Sequence, residues 1–345
     1  MANSGGAPAS ERVRIVGDGQ MALVLADLLA FRGIDVALLS PLESSPGGIA
    51  EGLASSRRSP RLAGFVLPAG VGVGSDPAVL SDATVVVAAI PTQFIRATFG
   101  RLAGAIPAGA PIVSVAKGIE AGSFRLPCDV LAEVLGAAVG PIAALSGPSI
   151  AAELARRLPA ALVAASPDEA LQARVQALFA APWTRIYRSG DLVGVELAGA
   201  CKNVVAIAAG VVDGMGLGFN AKSALLARGL AEIARIGVAL GGSLETFYGV
   251  AGAGDLATTC FAPEGRNRTF GERLARGERA EDVLRSMTSV VEGVPTSRAL
   301  VSVARERGIE LPICETVRAL VDGATSPREA LAALMNRATG TERIG

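Results

Sequence analysis

The chain has 345 residues, enough for two domains and more than one simple core needs. It is 50% hydrophobic and 19% charged, and its 32 basic residues balance 32 acidic ones, so no global charge draws it to nucleic acid or an anionic membrane. Histidine is absent, which excludes imidazole bases, His-containing metal sites and Ser-His-Asp triads and leaves Lys, Asp, Glu, Tyr or Cys for any proton transfer.

The chain begins with Met1 to Ser10, small and polar and unlike a signal peptide, and residues 1–11 are expected to form a flexible N-terminus. Arg12–Val16 (RVRIV) reads as a short buried strand, and it runs straight into Gly17-Asp18-Gly19-Gln20-Met21-Ala22 and a helical stretch, Leu23–Phe31. Gly33 stops that helix and Asp35–Leu39 forms a second strand. Strand, G-x-G-x-x-A, helix, strand is the setting in which glycine-rich turns bind dinucleotides. Gly17 permits the tight turn, Gly19 lets backbone approach a pyrophosphate, and Ala22 lets helix and sheet pack closely. Phosphate would then sit on the helix N-terminus. The same pattern also suits an ordinary strand–turn–helix with no ligand.

Residues 40–80 are irregular, with Arg57, Arg58 and Arg61 on what reads as a solvated loop face. Buried strands resume at Ala83–Ile90, Ile112–Ala116 and Ile142–Leu145, each a continuous apolar run without polar alternation. The last two lead into Lys117-Gly118 and Ser146-Gly147-Pro148-Ser149. Residues at C-terminal strand ends face the ligand crevice of an open parallel sheet, which places Lys117, Gly147 and Ser149 well for binding. Ala160–Ala165 and Thr184–Tyr187 complete the sheet, and the domain boundary falls near Ser189-Gly190. No apolar run, Val204–Val212 included, reaches the roughly 20 residues of a membrane span. Cys128, Cys201, Cys260 and Cys314 lie far apart without a C-x-x-C pair, so neither zinc nor a disulfide framework is expected. The simplest expectation is a soluble, cytoplasmic protein.

Beyond residue 190 the pattern is helical, with long helices from about Asp191 to Val212 and from about Asn220 to Leu240. Lys202 has only Ala198, Gly199, Val205 and Ala206 at helical i±3 and i±4. Asp213 shares its azimuth but lies about 16 Å along the axis. Lys202 therefore either reaches water at the helix edge or finds a distant partner. In the next helix Arg228, Glu232 and Arg235 have the spacing of local pairs. A carboxylate is offered by Asp255 after Ala251-Gly252-Ala253-Gly254, and a compact Gly265-Arg266-Asn267-Arg268 group offers two guanidiniums suited to phosphate. Taken alone, that arginine group also fits a plain surface.

Val115-Ala116-Lys117-Gly118-Ile119-Glu120 and segments 145–166, 194–230, 251–260, 265–271 and 290–297, in this order, resemble the NAD(P)-dependent glycerol-3-phosphate dehydrogenases. The likeness runs from about residue 12 to 335. It implies an α/β Rossmann-type N-terminal domain over 12–189 and an all-α C-terminal substrate and catalytic domain over 190–345. The implied activity is an oxidoreductase one, reversible reduction of dihydroxyacetone phosphate to sn-glycerol 3-phosphate with NAD or NADP and no metal, in glycerophospholipid biosynthesis.

By the resemblance Lys202 is the proton donor and acceptor, with Lys117 and Asp255 beside it in the catalytic set. Lys117, Gly147, Ser149, Lys202, Asn203, Asp255, Gly265, Arg266 and Asn267 fall at substrate positions. Gly17, Gly19, Gln20, Met21, Ala22, Lys117, Ala151, Arg266, Val290 and Glu292 fall at dinucleotide positions. The small three-carbon phosphate is the implied partner, and a homodimer is left open.

Two departures from the family stand out. Its glycine turn usually carries an aromatic residue and then Gly-Thr, where this chain has Gln20-Met21-Ala22-Leu23. A basic residue often follows the second strand, where this chain has Ser40 and Pro41, with neither a carboxylate for a ribose 2′-hydroxyl nor a cation for a 2′-phosphate. The expectation is weak NAD/NADP discrimination, within about tenfold or about 1.4 kcal/mol. Arg57 or Arg58 could still reach a 2′-phosphate, and Glu43 a 2′-hydroxyl. Two other functions stay open: a catalytically silent dinucleotide sensor, and a related two-domain dehydrogenase acting on another small phosphate or acid.

Overall fold

A computed structural model describes residues 11–41, 49–287, 289–337 and 341. Residues 1–10 of the expected flexible N-terminus and Glu43 lie outside the described residues, whereas Glu11, the last residue of that stretch, is buried and its carboxylate pairs with Arg174 at 2.7 Å. The chain divides into two compact units: one of residues up to Ala116 plus Pro127–Leu192, the other of Lys117–Leu126 plus Val193 onward. Lys117–Leu126 thus groups with the helical unit rather than with the first domain, because Ile119 and Leu126 pack into the helical core.

The first unit is built on β1 (Arg12–Val16), β2 (Asp35–Leu39), β3 (Gly72–Gly74), β4 (Val85–Ala88), β5 (Ile112–Ser114), β6 (Ile142–Ser146), β7 (Ala160–Ala165) and β8 (Thr184–Ser189). They form one sheet in the order β3-β2-β1-β4-β5-β6-β7-β8. Pairing is parallel from β3 through to β6, with Val13 opposite both Val36 and Val85. The sheet is not parallel throughout: β7 runs antiparallel to β6, and β8 is parallel to β7. The apolar runs have no polar face because both faces are covered. Val85 and Val87 join a cluster with α1 (Gln20–Phe31), α2 (Ile49–Ser56), α5 (Ala151–Leu154) and α6 (Glu169–Phe179). Val86 and Ala88 point the other way, to α3 (Thr92–Leu102) and α4 (Pro127–Leu135). Gly33, at φ +74°, ends α1: its N–H donates to Ala30 O and that of Ile34 to Leu29 O, the paired bonds of a left-handed helix stop. The chain reverses direction across the sheet between β1 and β4, which is where ligand crevices form in such sheets.

The second unit is helical: α7 (Leu192–Gly214), α8 (Gly218–Ala239), α9 (Leu244–Tyr248), a π-helical turn (Val250–Gly254), α10 (Asp255–Phe261), α11 (Arg266–Ala275), α12 (Ala280–Ser286), α13 (Gly293–Glu306), α14 (Pro312–Val321) and α15 (Pro327–Met335). By length and composition α7 is apolar enough to cross a membrane, contrary to the reading of its shorter runs. It is the core helix instead, since 89% of its most apolar stretch is buried inside the protein. Glycines bring α7 and α11 into backbone contact. A Cβ on Gly210 would meet Arg268 O at 1.9 Å, and one on Gly271 would meet Ile207 O at 2.0 Å.

The expected local pairing of Glu232 with its helical neighbours gives way to a different role. Its carboxylate accepts from the N–H groups of Ile313 (2.7 Å) and Cys314 (3.2 Å), satisfying donors at the start of α14. Arg235 donates to Glu310 O at 2.7 Å.

Candidate active site

Lys202 lies near the middle of α7, 7% exposed, with apolar neighbours along its own helix. Its partner arrives from 53 residues away: Asp255, the first residue of α10, is 1% exposed and accepts from Lys202 Nζ on Oδ1 at 2.7 Å. The other carboxylate oxygen accepts from Lys117 Nζ at 2.6 Å. Lys202 also donates to Thr259 Oγ1 at 2.5 Å. Thr259 is absent from the sequence reading; its place one helical turn after Asp255 is the signal that marks it. An ammonium has three N–H donors, and among the described residues two of Lys202's are engaged, leaving one to aim at a ligand oxygen.

Two effects compete at this lysine. Burial lowers its pKa to about 8, with the Lys117 ammonium adding to the fall and the Asp255 carboxylate opposing it. Desolvation wins. Burial alone would raise the carboxyl of Asp255, but the ammonium groups of Lys117 and Lys202 together hold it below the usual range. Burial pushes the neighbouring thiols of Cys201 and Cys260 up to about 12, so neither competes as a base near neutrality. The cluster therefore presents one acid poised near neutral pH and a net positive charge.

Asn203 and Asn267 form a chain of amides beside the lysines. Asn203 Nδ2 donates to Lys117 O (3.2 Å) and Gly199 O (3.3 Å), while its Oδ1 accepts from Asn267 Nδ2 at 2.9 Å. Asn267 Oδ1 accepts from the N–H of Gly293 at 3.0 Å. This chain ties the Lys117 loop, α7, α11 and the start of α13 together and leaves Asn267 one amide N–H for a ligand.

Gly265 caps α11 without a side-chain bond, so backbone donors of a ten-residue helix open beside Arg266, whose side chain is exposed. Desolvation lowers the pKa of the Arg266 guanidinium, and the carboxylate of Glu292, the residue that precedes α13, opposes that fall; Val290 lies half-buried just before it. Arg268, expected to share phosphate duty, is turned away: its guanidinium pairs with Asp213 (2.6 Å) and Glu272 (2.7 Å). Lys222 completes that structural network by pairing with Asp213 at 2.7 Å.

In the first unit the glycine turn has the shape its sequence predicts. Gly17 is at φ +135°, and a Cβ there would meet Ala89 O at 2.4 Å. Among the described residues Gly19 faces open space and no side chain caps α1, so the first-turn N–H groups point to where an anion could sit. Ala22 is fully buried against the sheet and Met21 partly so. Gly147, at φ +132°, follows β6; Ser149 Oγ donates to its carbonyl at 2.9 Å, and Ala151 opens α5. Helix donors beside a glycine that, among the described residues, has open space in place of a side chain suit the pyrophosphate of NAD(P).

The strand-end carboxylate missing from the sequence reading arrives from the turn itself: Asp18 Oδ2 accepts from Ser40 Oγ at 2.6 Å. Arg57, one of the two arginines that could reach a 2′-phosphate, instead turns its Nη2 to the carbonyls of Pro68 and Val71. Among the described residues no three His, Cys, Asp or Glu side chains gather as metal ligands would.

A glycine turn on a mostly parallel sheet, with a buried lysine paired to a carboxylate, defines the class of dinucleotide-dependent oxidoreductases. Comparison with known proteins narrows it. The NAD-dependent glycerol-3-phosphate dehydrogenase N-terminus matches residues 12–172, and the C-terminus of the same family matches residues 191–332. Among relatives, glycerol-3-phosphate dehydrogenase [NAD(P)+] from Caulobacter vibrioides is 41% identical over 95% of this chain and 97% of that protein. The Thermobifida fusca enzyme of the same name is 40% identical over 97% and 99%. The crystal structure of glycerol-3-phosphate dehydrogenase from Coxiella burnetii superposes with a TM-score of 0.89 at 32% identity, covering 96% of this chain and all of that one. A ketopantoate reductase from Ralstonia eutropha, at 18% identity and TM-score 0.59, shares the fold alone. The chain belongs to the NAD-dependent glycerol-3-phosphate dehydrogenase family.

Proposed function

We propose that this chain reversibly reduces dihydroxyacetone phosphate to sn-glycerol 3-phosphate with NAD(P)H, supplying the glycerophospholipid backbone. The supporting observation is Lys202, a buried ammonium held by Asp255 and Thr259 with one N–H to spare. In this reading residues 12–189 are the dinucleotide domain and 190–345 the substrate and catalytic domain. Gly17, Gly19, Gln20, Met21, Ala22 and Ala151 serve the dinucleotide, along with Lys117, Arg266, Val290 and Glu292. Gly147, Ser149 and Asn203 serve the substrate. The free, buried cysteines suit a reducing compartment, and the enzyme is assigned to the cytoplasm.

A nicotinamide dinucleotide held on the Gly17–Ala22 turn would supply the hydride that C2 of the ketone accepts. As the C=O bond becomes C–O, negative charge grows on oxygen, where the ammonium of Lys202 stabilises it and then transfers a proton from Nζ. The neutral amine is reprotonated from solvent, and oxidation runs the same steps in reverse. Asp255 fixes Lys202 in place. Lys117 depresses its pKa electrostatically, which makes the proton easier to give. Arg266, the open end of α11 and the spare N–H of Asn267 hold the phosphate, so binding energy remote from C2 aligns the carbonyl.

The deciding experiment follows nicotinamide absorbance with dihydroxyacetone phosphate and, separately, unphosphorylated dihydroxyacetone. Turnover of the phosphorylated ketone that falls at least ~10² in Lys202→Ala, with dinucleotide binding kept, is the expected result. A folded Lys202→Ala protein that turns over normally would overturn the role of the lysine. Absence of turnover with either cofactor would leave the silent sensor standing instead.

A further inference from the structure

Both residues that follow the glycines of the turn reach for the same arginine. Asp18 Oδ1 lies 3.4 Å from the guanidinium of Arg61, and Gln20 Nε2 donates to the backbone carbonyl of Arg61 at 2.6 Å. The other oxygen of Asp18 is occupied by Ser40 Oγ, at the end of β2. A chain of contacts therefore runs from the β2 end through the turn to Arg61. The carboxylate is the inner member, with its side chain 6% exposed, and the guanidinium is the outer one at 37%.

The three arginines of this loop are unequal. Arg57 is locked on the carbonyls of Pro68 and Val71. Arg58 is exposed and, among the described residues, has no side-chain contact with the glycine turn. Arg61 alone of the three is brought to the turn, by the carboxylate of Asp18 and by Gln20, the latter at a position where this chain departs from its family.

We propose that Arg61, held by Asp18 and Gln20, reads the adenosine 2′-phosphate and makes this chain prefer NADP(H) to NAD(H). The inference rests on the proposed use of a dinucleotide. In sheets of this kind the adenosine ribose lies at the end of the second strand. A carboxylate exposed there would accept from a 2′-hydroxyl and repel a 2′-phosphate. Here the carboxylate is covered and both its oxygens are engaged, while a planar guanidinium stands outermost with N–H donors in the geometry a phosphate accepts. The charge that Ser40 and Pro41 lack is thus delivered from 21 residues further along the chain.

The test is equilibrium binding without turnover, by nicotinamide fluorescence for NADPH and NADH and by calorimetry for 2′,5′-ADP against 5′-ADP. The wild-type protein is expected to bind NADPH, and 2′,5′-ADP, more than tenfold tighter than the forms without the 2′-phosphate. Arg61→Ala should erase that ratio by weakening only the 2′-phosphorylated ligands, Arg61→Lys should keep part of it, and Asp18→Asn should reduce it. Equal wild-type affinities, or an Arg61→Ala protein that loses both ligand forms alike, would overturn the proposal. Because these ligands are read without the ketone, a chain that discriminates them but fails to reduce dihydroxyacetone phosphate would refute the reaction and leave the role of Arg61 intact.

Discussion

Lys202 stands 2.7 Å from Asp255 and its pKa still falls, to about 8, because both groups are buried and desolvation outweighs the ion pair. A lysine in water keeps its proton to about pH 10.4 and would give it up reluctantly. Burial brings its titration toward neutral pH, and the carboxylate of Asp255 limits the fall.

Opposite pH limbs follow for the two directions. With Lys202 as the proposed proton donor, reduction uses the ammonium and its kcat is expected to fall as pH rises through about 8, while oxidation uses the free amine and should rise through the same region. Asp255→Asn removes the opposing carboxylate and should move both limbs to lower pH. Profiles of kcat in both directions check this, and limbs that stay put in the variant would remove Asp255 from control of Lys202.

Arg266→Lys keeps the charge and loses the planar fork. It is expected to raise KM for dihydroxyacetone phosphate about tenfold or more and to narrow the preference over unphosphorylated dihydroxyacetone. A variant that discriminates as well as wild type would show that Arg266 does not hold the phosphate.

Gly271→Ala tests the docking that positions Asn267. Its Cβ would meet Ile207 O at 2.0 Å, so α11 must move off α7 at a cost of about 1–3 kcal/mol or more. Thermal melting should report the loss. In the protein that remains folded, KM should rise because Asn267 and Arg266 ride on the displaced helix; a displacement-free variant with wild-type melting would contradict the close approach.

Glu232 gives a pH-dependent share of stability. Burial pushes its carboxyl up to about 7, against the N–H bonds from Ile313 and Cys314 and the charge of Arg235. A folded-state pKa above the unfolded value means this stabilisation is present at low pH and lost as pH rises through about 7. Between pH 6 and 8 the loss is on the order of 1 kcal/mol. Lys202, with its lowered pKa, changes stability in the opposite sense nearby, so the readout is the difference between wild type and Glu232→Gln. That difference should vary across this range of pH; a constant offset would mean the carboxyl is ionised throughout.

Much of this protein is written locally. The apolar runs of β1, β4, β5 and β6, the Gly17–Ala22 turn and the two long helices follow from periodicity and from glycine at defined positions, because strands and helices are chosen by neighbours a few residues away. The same local logic placed Lys202 on an apolar helix face with no partner within reach, and segment likeness assigned the family. What the sequence alone could not decide is which distant groups meet. Asp255 is 53 residues from Lys202 and 138 from Lys117, and no helical or strand period links such positions. Glu232 turned from its expected neighbours to the start of α14, Arg268 from phosphate to Asp213, and Asp18 to Ser40. β7 entered the sheet antiparallel although its residues suit either direction. Each of these was settled by tertiary packing, which fixes how deeply a charge is buried and which opposite charge or backbone donor lies close enough to satisfy it.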